Sequence, residues 1–276
     1  MNKSIRLPAV AGTFYPADPS TLSDDINRML DDVEKTLLHG NIVSLIVPHA
    51  GYLYSGLTAA HAYKLIEGIN FKTIVIISPS HREYFRGVSI FEGSSYKTPL
   101  GDIKIDNILR ELLVKNDKII ESSLRGHGGE HAIEVQLPFL QIVQKDFLLL
   151  PIVIGDQCAD NCYHLGNRLG EVLQNKNALI IASTDLSHFH SSQSARKLDQ
   201  VAIDKVSKFD YEGLMNDLEF EKAEACGGGP VVAAMVAAKS LGADYVKILH
   251  QCNSGDITGE HESVVGYFSA AILKSK

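Results

Sequence analysis

The chain has 276 residues, 45% apolar and 21% charged, which excludes a disordered or collagen-like polymer and suffices for one sizeable core. Its net charge of −7 arises from 26 basic and 33 acidic residues with no basic stripe or tail, so nucleic-acid binding through phosphate contacts is not expected. The cysteines at 158, 162, 226 and 252 are too few and scattered for a secreted disulfide scaffold. No run approaches the ~20 apolar residues of a membrane helix. The opening MNKSIRLPAV lacks the apolar core of a signal peptide. A reducing, cytoplasmic location without membrane association is the expectation.

In chain order, the turn signal Ala17-Asp18-Pro19 leads into a stripe of Leu22, Ile26, Met29, Leu30, Val33 and Leu37. That spacing predicts an amphipathic helix capped by Ser20. Apolar runs rich in β-branched residues predict strands over 42–47, 74–77, 147–154, 179–182, 246–249 and 264–272. Residues 84–104 read as a hairpin or long loop. Helices are predicted over 131–144, 160–175, 195–208 and 230–241, the last with Pro230 in its first turn, where a missing N–H costs nothing. The strand runs are continuous rather than alternating, which implies cover on both faces. The alternation of strands with helices predicts a single layered α/β domain over 1–276, with a mixed, largely parallel central sheet flanked by helices.

Five polar segments fall beside these elements. They are Val47–Tyr52, Ser78–His81, Gly126–Glu134, Ser183–His190 and Cys226–Pro230. Ligands of α/β sheets bind at the carboxyl ends of strands, so the placement is informative. His49 and His81 follow two strands at matching positions and are candidates for one shared metal site. Cys226, before three glycines and a helix N-terminus, is read as a ligand in preference to a buried small apolar residue. Asp185 and His188 stand in D-x-x-H spacing: either the carboxylate orients a ligating imidazole and His188 exchanges a proton, or the pair is a cap and a surface histidine. His131 and Glu134, three apart on the predicted helix, share a face; either both reach the pocket or Glu134 complements the helix N-terminus. Cys158 and Cys162 lack the second pair a zinc site needs, and Cys252 reads as inert. His190, His61, His164, His250 and His261 have no context that assigns them a role.

Taken together, Arg6–Pro16, Pro48–Gly56, Pro79–His81, Glu130-His131 with Glu134, Leu137 and Pro138, Ser183–His188 and Cys226-Gly227 resemble the Memo family in order along nearly the whole chain. Its prokaryotic members are called AmmeMemoRadiSam system protein B. The resemblance implies a fold like the LigB-type class III extradiol dioxygenases, which hold non-haem Fe(II) with two histidines and a carboxylate. It implies His49 and His81 as the imidazole ligands, with Cys226 where those enzymes have a carboxylate, and Asp185 and His188 beside the metal. A thiolate shifts preference toward Cu(I), Zn(II) or thiolate-tolerant iron.

Three functions follow as expectations. The first is a metal-dependent redox enzyme acting on a small molecule, with one Fe(II) or Cu(I), or else Zn(II), held by His49, His81 and Cys226. In it His188 and Asp185 are catalytic, and His131, Glu134, Tyr54 and Gly227 are pocket residues. The second is a binding or scaffold protein whose cleft, lined by Tyr52, Tyr54 and Gly227–Gly229, holds a peptide or partner. Animal members of the family are described as recognising phosphotyrosine peptides, and the prokaryotic family name suggests a radical-SAM partner. The third is a zinc hydrolase; a serine hydrolase is not expected, since no G-x-S-x-G elbow occurs.

Overall fold

The structure, a computed structural model, describes residues 4–276. The first half contains β1 (Ile5–Arg6), α1 (Pro19–Asp31), β2 (Asn41–Val47), α2 (Tyr52–Ile66), β3 (Thr73–Pro79), β4 (Val88–Phe91), β5 (Ser95–Thr98), β6 (Gly101–Lys104), α3 (Asn107–Val114) and β7 (Ile120–Ser123). A 3₁₀ turn (Glu134–Gln136) then leads into α4 (Leu137–Val143), β8 (Leu148–Ile154), α5 (Ala159–Val172), β9 (Ala178–Ser183), β10 (His188–His190), α6 (Ser192–Ser207), α7 (Tyr211–Glu219), α8 (Gly228–Ser240), β11 (Tyr245–Asn253), α9 (Ser254–Thr258) and β12 (Val264–Lys274).

The continuous apolar runs form the centre of a nine-stranded mixed sheet ordered β10-β12-β2-β9-β3-β8-β4-β7, with β11 paired to β12. Strands β2, β9, β3 and β8 are parallel, while β12 and β4 run antiparallel on either side. Side chains alternate across a strand. Leu45, Val47, Ile74, Ile76, Leu179 and Ile181 therefore face the layer of α1, α2 and α4. Ile46, Val75, Ile77, Ile180 and Ala182 face the layer of α5, α6 and α8. Both faces are covered, as the lack of alternation in these runs requires. The result is a single α/β domain with a mixed central sheet between helices.

Strand β9 comes late in the chain yet inserts between β2 and β3. The segments Pro48-His49, Ser80-His81 and Thr184-Asp185 thus leave the sheet side by side at its carboxyl edge. Cys226 arrives at the same edge just before α8, a helix buried along nearly its whole length. Helix α8 lies against α5 at close range: a Cβ on Gly166 would sit 2.6 Å from Val236 Cβ and 2.7 Å from the Ala233 carbonyl oxygen.

Several local expectations differ from the structure. Helix α1 is capped by Asp18, whose carboxylate accepts the Thr21 N–H at 2.9 Å, with Pro19 in the first turn. Ser20 is therefore inside the helix. The helix ends at Asp31; Val33 is buried from the following turn and Leu37 faces solvent. The 131–144 helix is shorter, since Pro138 falls in the first turn of α4. Helices α2, α3, α7 and the short α9 are additional to those expected. In α2 the small and apolar residues Gly56, Ala59, Ala60, Ala62, Leu65 and Ile66 are buried around most of the circumference, so no single stripe marks it. Residues 84–104 form β4 and the β5–β6 hairpin, consistent with a mixed sheet.

The close α5–α8 approach makes a stability prediction. Gly166→Ala should destabilise the fold by ~1–3 kcal/mol through overpacking, read as a lower urea midpoint; an unchanged midpoint would mean that the two helices are not held this tightly.

Candidate metal centre

His49 follows β2 and is buried. Its Nδ1 lies 2.9 Å from Ser183 Oγ at the end of β9. Ser183 donates its only proton to the Ala132 carbonyl at 2.7 Å and accepts a proton from Gln136 Nε2 at 2.8 Å. The one remaining valence on that hydroxyl is a lone pair, so His49 Nδ1 must be the donor. Nε2 is then bare. It faces Cys226 Sγ at 3.1 Å, which makes the thiol the donor in that contact. Burial, followed by the neighbouring His131 and His81, lowers the His49 pKa well below its ordinary value, so the ring is neutral.

His81, after β3, is oriented by a different group. Its Nδ1 is 3.0 Å from Glu130 Oε1, and its backbone N–H donates to Glu130 Oε2 at 2.6 Å. Glu130 Oε1 also accepts from the amides of His131 and Ala132 at 2.8 and 2.9 Å. Burial pushes this carboxyl up, but the hydrogen bonds and charge of His81 outweigh it and hold it at about 2. The carboxylate fixes Nδ1–H and leaves His81 Nε2 free. The His81 side chain keeps 28% of its surface exposed against 2% for His49, so the open side of the cluster is at His81.

Cys226 Sγ accepts the Asp185 N–H at 3.3 Å. Burial and then the Asp185 charge push its thiol up, so a cation is what would favour the thiolate here. Asp185 Oδ1 accepts the His49 amide at 2.7 Å, and Oδ2 lies 4.0 Å from His49 Nε2. Burial, partly countered by that amide, raises this carboxyl to about 7. Gly227 lets the chain approach β9: a Cβ there would sit 2.2 Å from the Ser183 carbonyl oxygen.

Ligand atoms of His49, His81 and Cys226 all lie within 4.8 Å of one another. So do those of His81, Glu130 and His131, but there Glu130 Oε1 already accepts from His81 Nδ1 and two amides, and Oε2 accepts the His81 amide. The first set is therefore the one with donors to spare, and its two imidazoles and a thiol fit a borderline or soft metal ion. His131 stands in the same cluster, its ring 4.8 Å from His81 and 5.4 Å from His49. Its Nδ1 is buried without a hydrogen-bond partner, although Glu130 Oε1 is 3.3 Å away.

His188 donates from Nδ1 to the Leu186 carbonyl at 2.8 Å, which leaves Nε2 as the basic atom. It lines, with Cys226, a cavity of about 720 Å³. Glu134 does not share a face with His131, because the helix starts only at Glu134. Its carboxylate turns to the N-terminal segment, where it accepts from the Ala9 and Val10 amides, Tyr15 and Arg6. The Arg6 guanidinium also donates to the carbonyls of Glu130 and His127. Tyr52 is largely buried and donates to the Val135 carbonyl; it lines a groove with Phe14 and Met29, not the cavity at Cys226. Tyr54 is exposed on the first turn of α2 and does not line the cavity at Cys226. Cys158 and Cys162 join no metal-type group among the described residues.

The orienting residues Glu130, Ser183 and Gln136 were given no role from sequence. The signal for Glu130 was an acidic residue between two histidines in Gly126–His131; Ser183 and Gln136 carry no such mark.

An α/β domain with a His/His/Cys cluster at the carboxyl ends of parallel strands is the class of protein defined so far. Residues 6–271 match the Memo family, described as Memo-like protein. A MEMO1 family protein of Methanosarcina mazei is 38% identical over 272 residues, 98% of this chain and 98% of the relative. One from Sulfolobus acidocaldarius is 38% identical over 280 residues, 96% of this chain and 98% of the relative. The chain belongs to the Memo family. Among solved structures, an uncharacterized protein of Escherichia coli K12 matches with a TM-score of 0.52 at 14% identity, over 84% of this chain and 100% of that one, a likeness of fold.

The buried histidines set an acid response. Burial holds His49 neutral, lowers His127 to about 3 and His131 to about 4. An unfolded chain protonates these rings near pH ~6.5, so their contribution is complete above that pH and is lost as pH falls below it. Asp185, raised to about 7, works in the opposite sense between about pH 4 and 7 and offsets only one of the three. Metal-free protein should therefore lose a few kcal/mol of stability between about pH 7.5 and 5, measured by urea unfolding; constant or rising stability would contradict the buried neutral rings.

Proposed function

We propose that the chain binds one metal ion through His49 Nε2, His81 Nε2 and Cys226 Sγ and uses it in redox chemistry on a small molecule. The observation that carries this reading is the orientation of both imidazoles. Ser183 and Glu130 each hold an Nδ1–H, and the nitrogens left bare belong to the residues whose ligand atoms converge with the thiol. Such outer hydrogen bonds fix the tautomer of ligating histidines and raise their basicity.

Iron or copper in this donor set would supply one-electron redox chemistry, and zinc would supply a Lewis acid. Three protein donors would leave room for a further ligand, and the exposed side of the cluster is at His81. The chain's own groups would then handle protons: His188 Nε2 is a free base beside the cavity, and the Asp185 carboxyl, 4.0 Å from His49 Nε2, is one that a bound cation would draw toward its ionised form. A thiolate ligand suits Cu(I), Zn(II) or thiolate-tolerant iron, and the first and last of these support the redox reading. The competing scaffold reading grouped Tyr52, Tyr54 and Gly227–Gly229 in one cleft, and it is weakened because Tyr52 lines a groove with Phe14 and Met29 whereas Gly228 and Gly229 line the cavity at Cys226.

Elemental analysis of anaerobically purified protein tests the reading. About one iron or copper per chain is expected, absent from His49→Ala and Cys226→Ala. Glu130→Gln should weaken metal affinity by about 10–100-fold while leaving the ligands in place. No uptake of Fe(II), Cu(I) or Zn(II) by the wild type would defeat it.

A further inference from the structure

The cavity beside Cys226 and His188 carries charge of one sign. Glu219, Glu221 and Glu224 line it, and no lysine or arginine does. Glu224 is engaged by His190 at 2.9 Å. Neither Glu219 nor Glu221 has a side-chain hydrogen bond or ion pair among the described residues. Their place is set by the end of α7: the Glu221 N–H turns back to the Leu218 carbonyl at 3.2 Å, with φ of 55°. The same cavity has apolar lining from Met215 and Leu218.

The opposite wall is the start of α8, and a helix N-terminus ordinarily attracts anions through its free amides. Here those amides are already used. Gly227 N–H donates to Thr184 Oγ1 at 3.0 Å, Gly228 N–H to the Ala225 carbonyl at 3.1 Å and Gly229 N–H to Gln157 Oε1 at 2.9 Å. An anionic ligand would find no donor array there and would meet three carboxylates. A cation would find two unpaired ones.

We propose that this cavity is the substrate pocket of the metal centre and that it selects a small organic cation, a molecule with an ammonium or guanidinium group attached to an apolar body. The cationic group sits between Glu219 and Glu221, the body lies against Met215 and Leu218, and the far end reaches Cys226 and His188. About 720 Å³ is in the range of small-molecule sites. Exclusion of carboxylates and phosphates is built in by like charge rather than by shape. The assignment of reactivity rests on the metal centre proposed above; the charge preference does not.

Phenethylamine, phenethyl alcohol and phenylacetate share a ring and differ in charge, so they serve as probes. Each is titrated by NMR at low ionic strength into wild type and the Glu219→Gln/Glu221→Gln double variant. The expected order is amine, alcohol, carboxylate, with the amine ahead of the alcohol by about tenfold. In the double variant that ratio should fall to about one, while the alcohol binds as before and so reports an intact pocket. Phenylacetate binding as tightly as the amine, an amine preference that survives in the double variant, or no binding of any probe would overturn the proposal. Metal content of the same samples separates the two ideas. A chain that takes no metal yet prefers the amine loses the metal centre and keeps the cation pocket; metal uptake without amine preference does the reverse.

Discussion

The Ser183 hydroxyl has one proton and two lone pairs, and Ala132, Gln136 and His49 use all three. That saturation decides which nitrogen of His49 carries hydrogen. Gln136 is itself pinned, since its Oε1 accepts from Tyr63 and its amide also donates to the Pro48 carbonyl. A buried chain of this kind has little freedom to reverse, because any inverted donor leaves an unpaired polar group in the core at ~1–3 kcal/mol. The site's chemistry thus depends on a hydrogen-bond direction set well away from the ligand atoms.

Sheet order supplies the rest. Had β9 been added at an edge, Ser183 and Asp185 would not stand between the two histidine-bearing strand ends. Insertion of β9 between β2 and β3 places Ser183 at the Nδ1 edge of His49 and Asp185 against its backbone. On the other flank the N-terminal segment closes the structure. Arg6 ties Glu134 to the Glu130 carbonyl, and Glu130 in turn holds His81. Glu134 is therefore a brace for the loop that orients a candidate ligand, rather than part of the pocket. Gly227 completes the arrangement by letting the Cys226 segment lie against β9 without a side chain between them.

Much of this was legible in the sequence. The apolar runs located β2, β3, β8 and β9, and polar segments at their carboxyl ends drew attention to His49, His81, Asp185 and Cys226. Four features were not legible, each for a physical reason. Helix α2 is buried around most of its circumference and carries no stripe. The 131–144 pattern looked like one helix, but Pro138 and the 3₁₀ turn delay its start, which turns Glu134 away from His131. Ser183, Gln136 and Glu130 act through hydrogen bonds to groups distant in sequence, and such partners exist only once the strands are ordered. The exposed glutamates of the cavity were likewise unremarkable until the end of α7 was set beside Cys226.

The central claim is that the fold presents two imidazoles with Nδ1 protonated and Nε2 bare. Long-range proton–nitrogen correlation NMR on metal-free protein reads this directly, followed by addition of Zn(II) as a diamagnetic probe. The account predicts Nδ1–H for both His49 and His81, with both Nε2 resonances shifting on zinc binding. An Nε2–H tautomer at His49, or zinc leaving both Nε2 resonances unmoved, would contradict it.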